Sequence, residues 1–149
     1  MEPINDYMMN DHREVDAILA RSREAAGASD WAALKREGES FLARIERHIE
    51  LEEDLLFPTF DRTTGMSGPG PSETMRSEHA EMQPIFARMR AAIESRDGAG
   101  YVRAAENLYE VLHPHNVKEE QMMYPMLDQA LGKEAGAMVD ELKRRALAP

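Results

Sequence analysis

The feature that most limits what this chain can become is a long-range repetition. The phrase "HIELEEDLLFP" at 48–58 returns as "HNVKEEQMMYP" at 115–125, an offset of 67 residues. Under the same offset His12 meets His79, so the 36-residue interval from His12 to His48 recurs between His79 and His115. Two separate segments share one gapless register, which is how a duplicated supersecondary unit reads. Apolar positions keep that register. Met8, His12, Val15 and Leu19 map onto Met75, His79, Met82 and Phe86, and Phe41, Ile45, His48, Glu52 and Leu55 map onto Leu108, Leu112, His115, Glu119 and Met122. Spacings of three and four place each set on one face of a helix, the face that a helix buries. Four histidines and two glutamates therefore stand where core residues belong.

An unpaired buried carboxylate costs several kcal/mol, and a buried imidazole needs partners. No lysine or arginine shares the stripe with Glu52 or Glu119. Two dications would neutralise both carboxylates and saturate the histidines together. His48 with Glu52, and His115 with Glu119, lie one helical turn apart and can reach one metal or a close pair. A lone core histidine, or a lone His-x-x-x-Glu pair, is commonplace and is usually just hydrogen-bonded. Six such residues in one duplicated register point instead to a metal centre, with a metal-free buried polar network as the competing reading.

Glycine and proline punctuate the chain at Gly27, 63–72, 95–100 and Gly132, leaving helical stretches of roughly 6–26, 30–61, 72–95 and 101–130 and a short tail near 133–146. No stretch alternates with the period of a strand. Gly27 reads as a helix C-cap, with Ser29 or Asp30 capping the next helix. Pro84 and Pro114 fall inside helices and should kink them. Gly65 and Gly70 have the spacing of a phosphate-binding loop, but Pro71 and Ser72 follow where that motif needs Lys then Ser or Thr, and no strand precedes; 63–72 reads as a linker. Short connections favour antiparallel neighbours. The expected fold is all-α, a single domain over 1–149: an up-down-up-down four-helix bundle with an internal two-fold repeat (halves about 5–61 and 72–130) and a C-terminal helix at about 133–146.

Composition narrows the chemistry. The chain has no cysteine, so any metal must be held by nitrogen and oxygen, which suits iron, manganese or zinc. A net charge of −10 argues against nucleic acid or an anionic membrane as partner. No apolar run approaches the roughly 20 residues of a spanning helix. The acidic N-terminal stretch lacks a signal-peptide layout, so the expected location is the cytoplasm. Two histidines per ion, with both glutamates and an oxygen bridging, leave a position on each ion for a small molecule.

Several neighbours of the six residues carry weaker signals. Asp11 and Glu78 precede the paired histidines, Asp16 and Gln83 follow them by four, and any could hydrogen-bond a ligand's second nitrogen. A solvent-facing position is the reading the helical pattern favours. Glu53 and Glu120 stand one step beyond Glu52 and Glu119, where a slip of one ligand position would place them on the metal. His113 should point away from the centre. Tyr124, opposite Phe57 in the repeat, reads first as core packing, although a phenol there could also donate to a bound oxygen species or coordinate iron. Met8, Met75, Met82, Met89 and Met122 read as core filler.

With His12, His48-x-x-x-Glu52, His79 and His115-x-x-x-Glu119 in this order, the chain resembles the hemerythrin-like HHE cation-binding family over about residues 5 to 130. The resemblance implies a four-helix bundle around a non-haem di-iron centre with oxo or hydroxo bridges, iron being favoured over manganese or zinc. It implies that His12 and His48 serve one iron, His79 and His115 the other, and that Glu52 and Glu119 bridge. The oxygen-carrying members use a fifth histidine one turn from the third-helix ligand; here Met75 and Gln83 occupy those positions. The set is similar to the symmetric site of repair-of-iron-centres proteins, which usually carry an additional cysteine-containing N-terminal domain. The expected role is to bind or process a small oxidant (O2, nitric oxide or hydrogen peroxide), in oxidative or nitrosative stress. The alternatives are a non-enzymatic iron-binding or oxygen-sensing module and a metal-free helical interaction protein.

Overall fold

The computed structural model describes residues 2–65 and 70–147. Among the described residues seven α-helices follow one another: α1 (Ile4–Gly27), α2 (Trp31–Leu51), α3 (Phe57–Thr64), α4 (Pro71–Ser95), α5 (Gly98–Lys118), α6 (Tyr124–Leu131) and α7 (Ala135–Leu147). A π-helical turn, Glu52–Leu56, joins α2 to α3 without a break, and Glu119–Met123 joins α5 to α6 in the same way. The expected linker at 63–72 falls partly on 66–69, outside the described residues.

The duplication extends into the turns. Ser29 adopts the left-handed conformation (φ 56°), and Asp30 then caps α2 by accepting from the Ala33 N–H at 3.2 Å. Sixty-seven residues on, Arg96 is left-handed (φ 55°) and Asp97 caps α5 by accepting from the Gly100 N–H at 2.9 Å. The start of α1 has no cap of its own, because Pro3 offers none. Asp128 in α6 takes that place, accepting from the Ile4 N–H at 2.7 Å and the Asn5 N–H at 3.1 Å.

α1 packs on α2 and α5, and α4 packs on α5 and α2, closing a ring of four antiparallel helices. This is the up-down-up-down bundle the sequence predicts. α3 and α6 extend it and meet each other, while α7 lies across α1, α2 and α6. Its Val139 and Leu142 are buried there. Among the described residues no helix is long and apolar enough to cross a membrane.

The expectation for Met122 needs correction, and the reason lies in the π turns. α4 and α5 run as continuous α-helices through Pro84 and Pro114. The departures from α geometry come instead just before Pro58 and Pro125, which lack an N–H and whose rings crowd the carbonyl four residues back. A π turn inserts one extra residue and absorbs that conflict. The insertion also rotates the buried stripe by one position. Leu56 and Met123 are buried, whereas Leu55 is half-buried and Met122, expected in the core, is 39% exposed.

The interior has two apolar clusters. One contains Val15, Ile45, Met82 and Leu112; the other contains Met8, Leu51, Met75 and Met123. Along each main helix a histidine sits at the boundary, so a thin polar layer separates two dry ones. Replacing Asp30 or Asp97 by alanine should each destabilise the protein by about 1 kcal/mol. The two caps share no partner, so in urea melts the double variant should lose the sum of the single losses.

Candidate metal centre

Each histidine reaches the polar layer from a different helix: His12 from α1, His48 from α2, His79 from α4 and His115 from α5. Glu52 and Glu119 are the first residues of the two π turns. All six are buried, from 0% exposed for the glutamates to 4% for His12. They form two groups, His12–His48–Glu52–Glu119 and His79–His115–Glu52–Glu119, and within each group donor atoms lie within 4.8 Å of one another. Both glutamates belong to both groups.

The histidine pairs of the two halves match. His12 Nε2 faces His48 Nε2 at 3.0 Å, and His79 Nε2 faces His115 Nε2 at 3.1 Å. The ring centroids are 4.7 Å apart in each pair. Glu119 places Oε1 at 3.3 Å from His12 Nε2 and Oε2 at 3.3 Å from His115 Nε2. Glu52 Oε1 lies 3.1 Å from His79 Nε2 and 3.7 Å from His48 Nε2. Each carboxylate thus spans the two halves.

Behind the histidines stand four acidic residues, again paired by the offset. His48 donates its Nδ1–H to Asp11 at 2.7 Å, and His115 donates to Glu78 at 2.9 Å. His12 donates across the halves to Glu120 at 2.6 Å. The fourth contact, His79 Nδ1 to Glu53, is 3.7 Å and makes no hydrogen bond. Arg44 pairs with Asp11 at 2.7 Å, and Lys118 pairs with Glu78. The helical pattern favours solvent-facing positions for Asp11 and Glu78, and the structure turns both inward onto ring nitrogens. Glu53 and Glu120 likewise sit behind histidines rather than slipping into the place of Glu52 and Glu119. Their recurrence at one offset was the available signal. Gln83 is exposed, and Asp16, half-buried, reaches no histidine nitrogen. His113 is exposed and stacks on Tyr109. Tyr124, expected as packing, is buried and also places its hydroxyl at the centre, donating to Glu52 Oε2 at 2.5 Å.

This arrangement fits cations. With the Nδ1–H groups of His12, His48 and His115 committed to carboxylates, their Nε2 lone pairs converge on the interior. Glu52 Oε1 and Glu119 Oε2 are buried without a hydrogen-bond partner. A metal bound at about 2.1 Å holds adjacent donors about 3.0–3.4 Å apart, the spacing seen here between the paired donors except Glu52 and His48, which stand 3.7 Å apart. The donors are imidazole and carboxylate with no sulfur, a set suited to iron, manganese or zinc.

In the absence of a cation the centre must hold extra protons. Burial opposes the charged form of His12, but Glu119 and Glu120 outweigh it and push the imidazole up to about 10. Burial likewise works against His115, yet the charge and hydrogen bond of Glu119, with Glu52 and Glu78, raise it to about 9. Burial and the charge of Glu119 push Glu52 up. Burial, followed by the charges of Glu119 and Glu52, keeps the Tyr124 phenol protonated well above its usual range.

The chain matches the family model described as Hemerythrin HHE cation binding domain over residues 4–145. It is similar to an uncharacterized hemerythrin-like protein of Schizosaccharomyces pombe, 28% identical over 137 residues that cover 90% of this chain and 64% of that protein. The chain therefore spans less than two thirds of that relative's length. No solved structure matches.

The raised histidines set a pH dependence. Between the ordinary imidazole value of 6.5 and the raised values of about 9 and 10, the folded chain binds protons that the unfolded chain has released. That contribution is complete below about pH 6.5 and is lost as pH rises through the folded values. Chelator-treated protein should therefore show a lower urea midpoint at pH 9 than at pH 7. A metal held by the same nitrogens would compete with these protons, so its affinity should rise over the same interval when followed by a competing chelator.

Proposed function

From the premise that the chain belongs to the hemerythrin HHE cation-binding family, we propose that it is a non-haem di-iron protein that binds or processes a small oxidant: O2, nitric oxide or hydrogen peroxide. The observation that carries this reading is the pair of overlapping donor groups sharing Glu52 and Glu119 in the buried interior of the bundle. His12 and His48 would hold one iron, His79 and His115 the other, and the glutamates would bridge. Bound iron supplies the redox chemistry and an open coordination position.

The chain's own residues prepare that position. Asp11, Glu78 and Glu120 fix the tautomers of three histidines and turn their Nε2 lone pairs inward. The apolar layers above and below keep bulk water out, which suits small neutral molecules and strengthens every charge interaction within. Arg44 and Lys118 pair with two of the outer carboxylates, Asp11 and Glu78, and hold them in place. Role in oxidative or nitrosative stress follows from the class of ligand, and the single bundle over the whole chain is proposed as the working unit.

Protein made without metal supplementation should contain close to two irons per chain, and His48→Ala or His115→Ala should lose them; an iron-free wild type would overturn the reading. Asp11→Asn should weaken iron retention about 10- to 100-fold without unfolding the bundle. On the loaded protein, peroxide turnover against a spectral response to O2 and nitric oxide separates catalyst from sensor.

A further inference from the structure

One side chain breaks the two-fold symmetry at the centre. Phe57 and Tyr124 occupy the same place in the two halves. Phe57 stacks on His79, with centroids 5.5 Å apart, and Tyr124 lies against His12 at 5.8 Å. The phenol oxygen is thus an atom that one half possesses and the other lacks.

That oxygen lies 2.5 Å from Glu52 Oε2, 3.0 Å from Glu119 Oε1 and 3.3 Å from His12 Nε2. A phenol has one proton and can donate to only one of these acceptors. All three belong to the same donor group, and the distances to Glu119 and His12 match those between the donors themselves, 3.0 Å for His12–His48 and 3.3 Å for His12–Glu119, while the 2.5 Å contact is the hydrogen bond that holds the phenol to Glu52. They are the edges of a polyhedron in which the phenol oxygen is one more corner.

We propose that Tyr124 is a further ligand of the metal held by His12 and His48, and that the small-molecule ligand is directed to the metal held by His79 and His115, where Phe57 leaves the matching corner empty. This rests on the two-metal reading above. Ligation replaces the O–H bond by an O–metal bond, the proton passing to solvent with no electron transferred. A phenyl ring cannot coordinate, but it provides an apolar wall for a small guest.

A second asymmetry falls on the same side. His12 is tied to Glu120 at 2.6 Å, whereas its counterpart His79 stands 3.7 Å from Glu53 without a hydrogen bond. Arg76, whose counterpart by the offset is Met9, lies over the Phe57 ring at 5.4 Å and approaches Glu53 at 3.7 Å. The His79 half is the less tightly tethered one.

The test uses the full chain loaded with iron, counted, oxidised to the ferric state, and examined by visible absorption and resonance Raman, with azide as the probe of open positions. The wild type should show a tyrosinate-to-ferric charge-transfer band with enhanced tyrosine ring modes. Tyr124→Phe, which preserves shape, should keep its iron, lose the band completely and gain a second azide position. Phe57→Tyr should roughly double the band and lose azide binding. Iron bound without the band, or a band that persists in Tyr124→Phe, overturns the ligation while leaving the two-metal reading intact. Absence of iron overturns both.

Discussion

Two carboxylates and four imidazoles, withdrawn from water into the centre of a helical bundle, set the terms for everything around them. Each would cost several kcal/mol if left without a counter-charge. The surrounding structure answers that cost on the outside, with Asp11, Glu78 and Glu120 accepting from ring nitrogens. On the inside it leaves Glu52 Oε1 and Glu119 Oε2 without a hydrogen-bond partner. A layer built this way is satisfied by cations, or by protons taken up in their place, and the raised His12 and His115 show the second alternative.

The apolar clusters on either side follow from the same constraint. Because the helices cross the polar layer only once, each has room for a core above and a core below. The π turns matter here. They begin at the two glutamates, so the extra residue falls just beyond each donor and re-aims the rest of the helix. Pro58 and Pro125 give the local reason for the turn, and the rotated stripe, with Leu56 and Met123 buried in place of Leu55 and Met122, is its consequence.

Much of this was legible in the chain. An offset of 67 residues relates the six inward residues. It also relates the outer acids, the Asp30 and Asp97 caps and even the left-handed Ser29 and Arg96. What helical periodicity misjudged was direction. Asp11 and Glu78 sit one step from the stripe, and on an isolated helix that is a partly wet position. Only the approach of a neighbouring helix, bringing His48 or His115 within reach, makes it an inward one. Met122 was misplaced for a related reason: a stripe drawn at a constant 100° per residue cannot register a turn that holds an extra residue.

By itself the sequence determined the all-α class, the duplicated hairpins and the identity of the polar residues on the buried faces, because these depend on local periodicity and repetition. Tertiary structure alone decided which glutamate oxygen meets which histidine, that Asp128 caps a helix beginning 124 residues earlier, and that the Tyr124 hydroxyl meets Glu52 and Glu119. Those outcomes depend on ångström-scale distances between helices far apart in the chain, and such distances are set by how the cores pack.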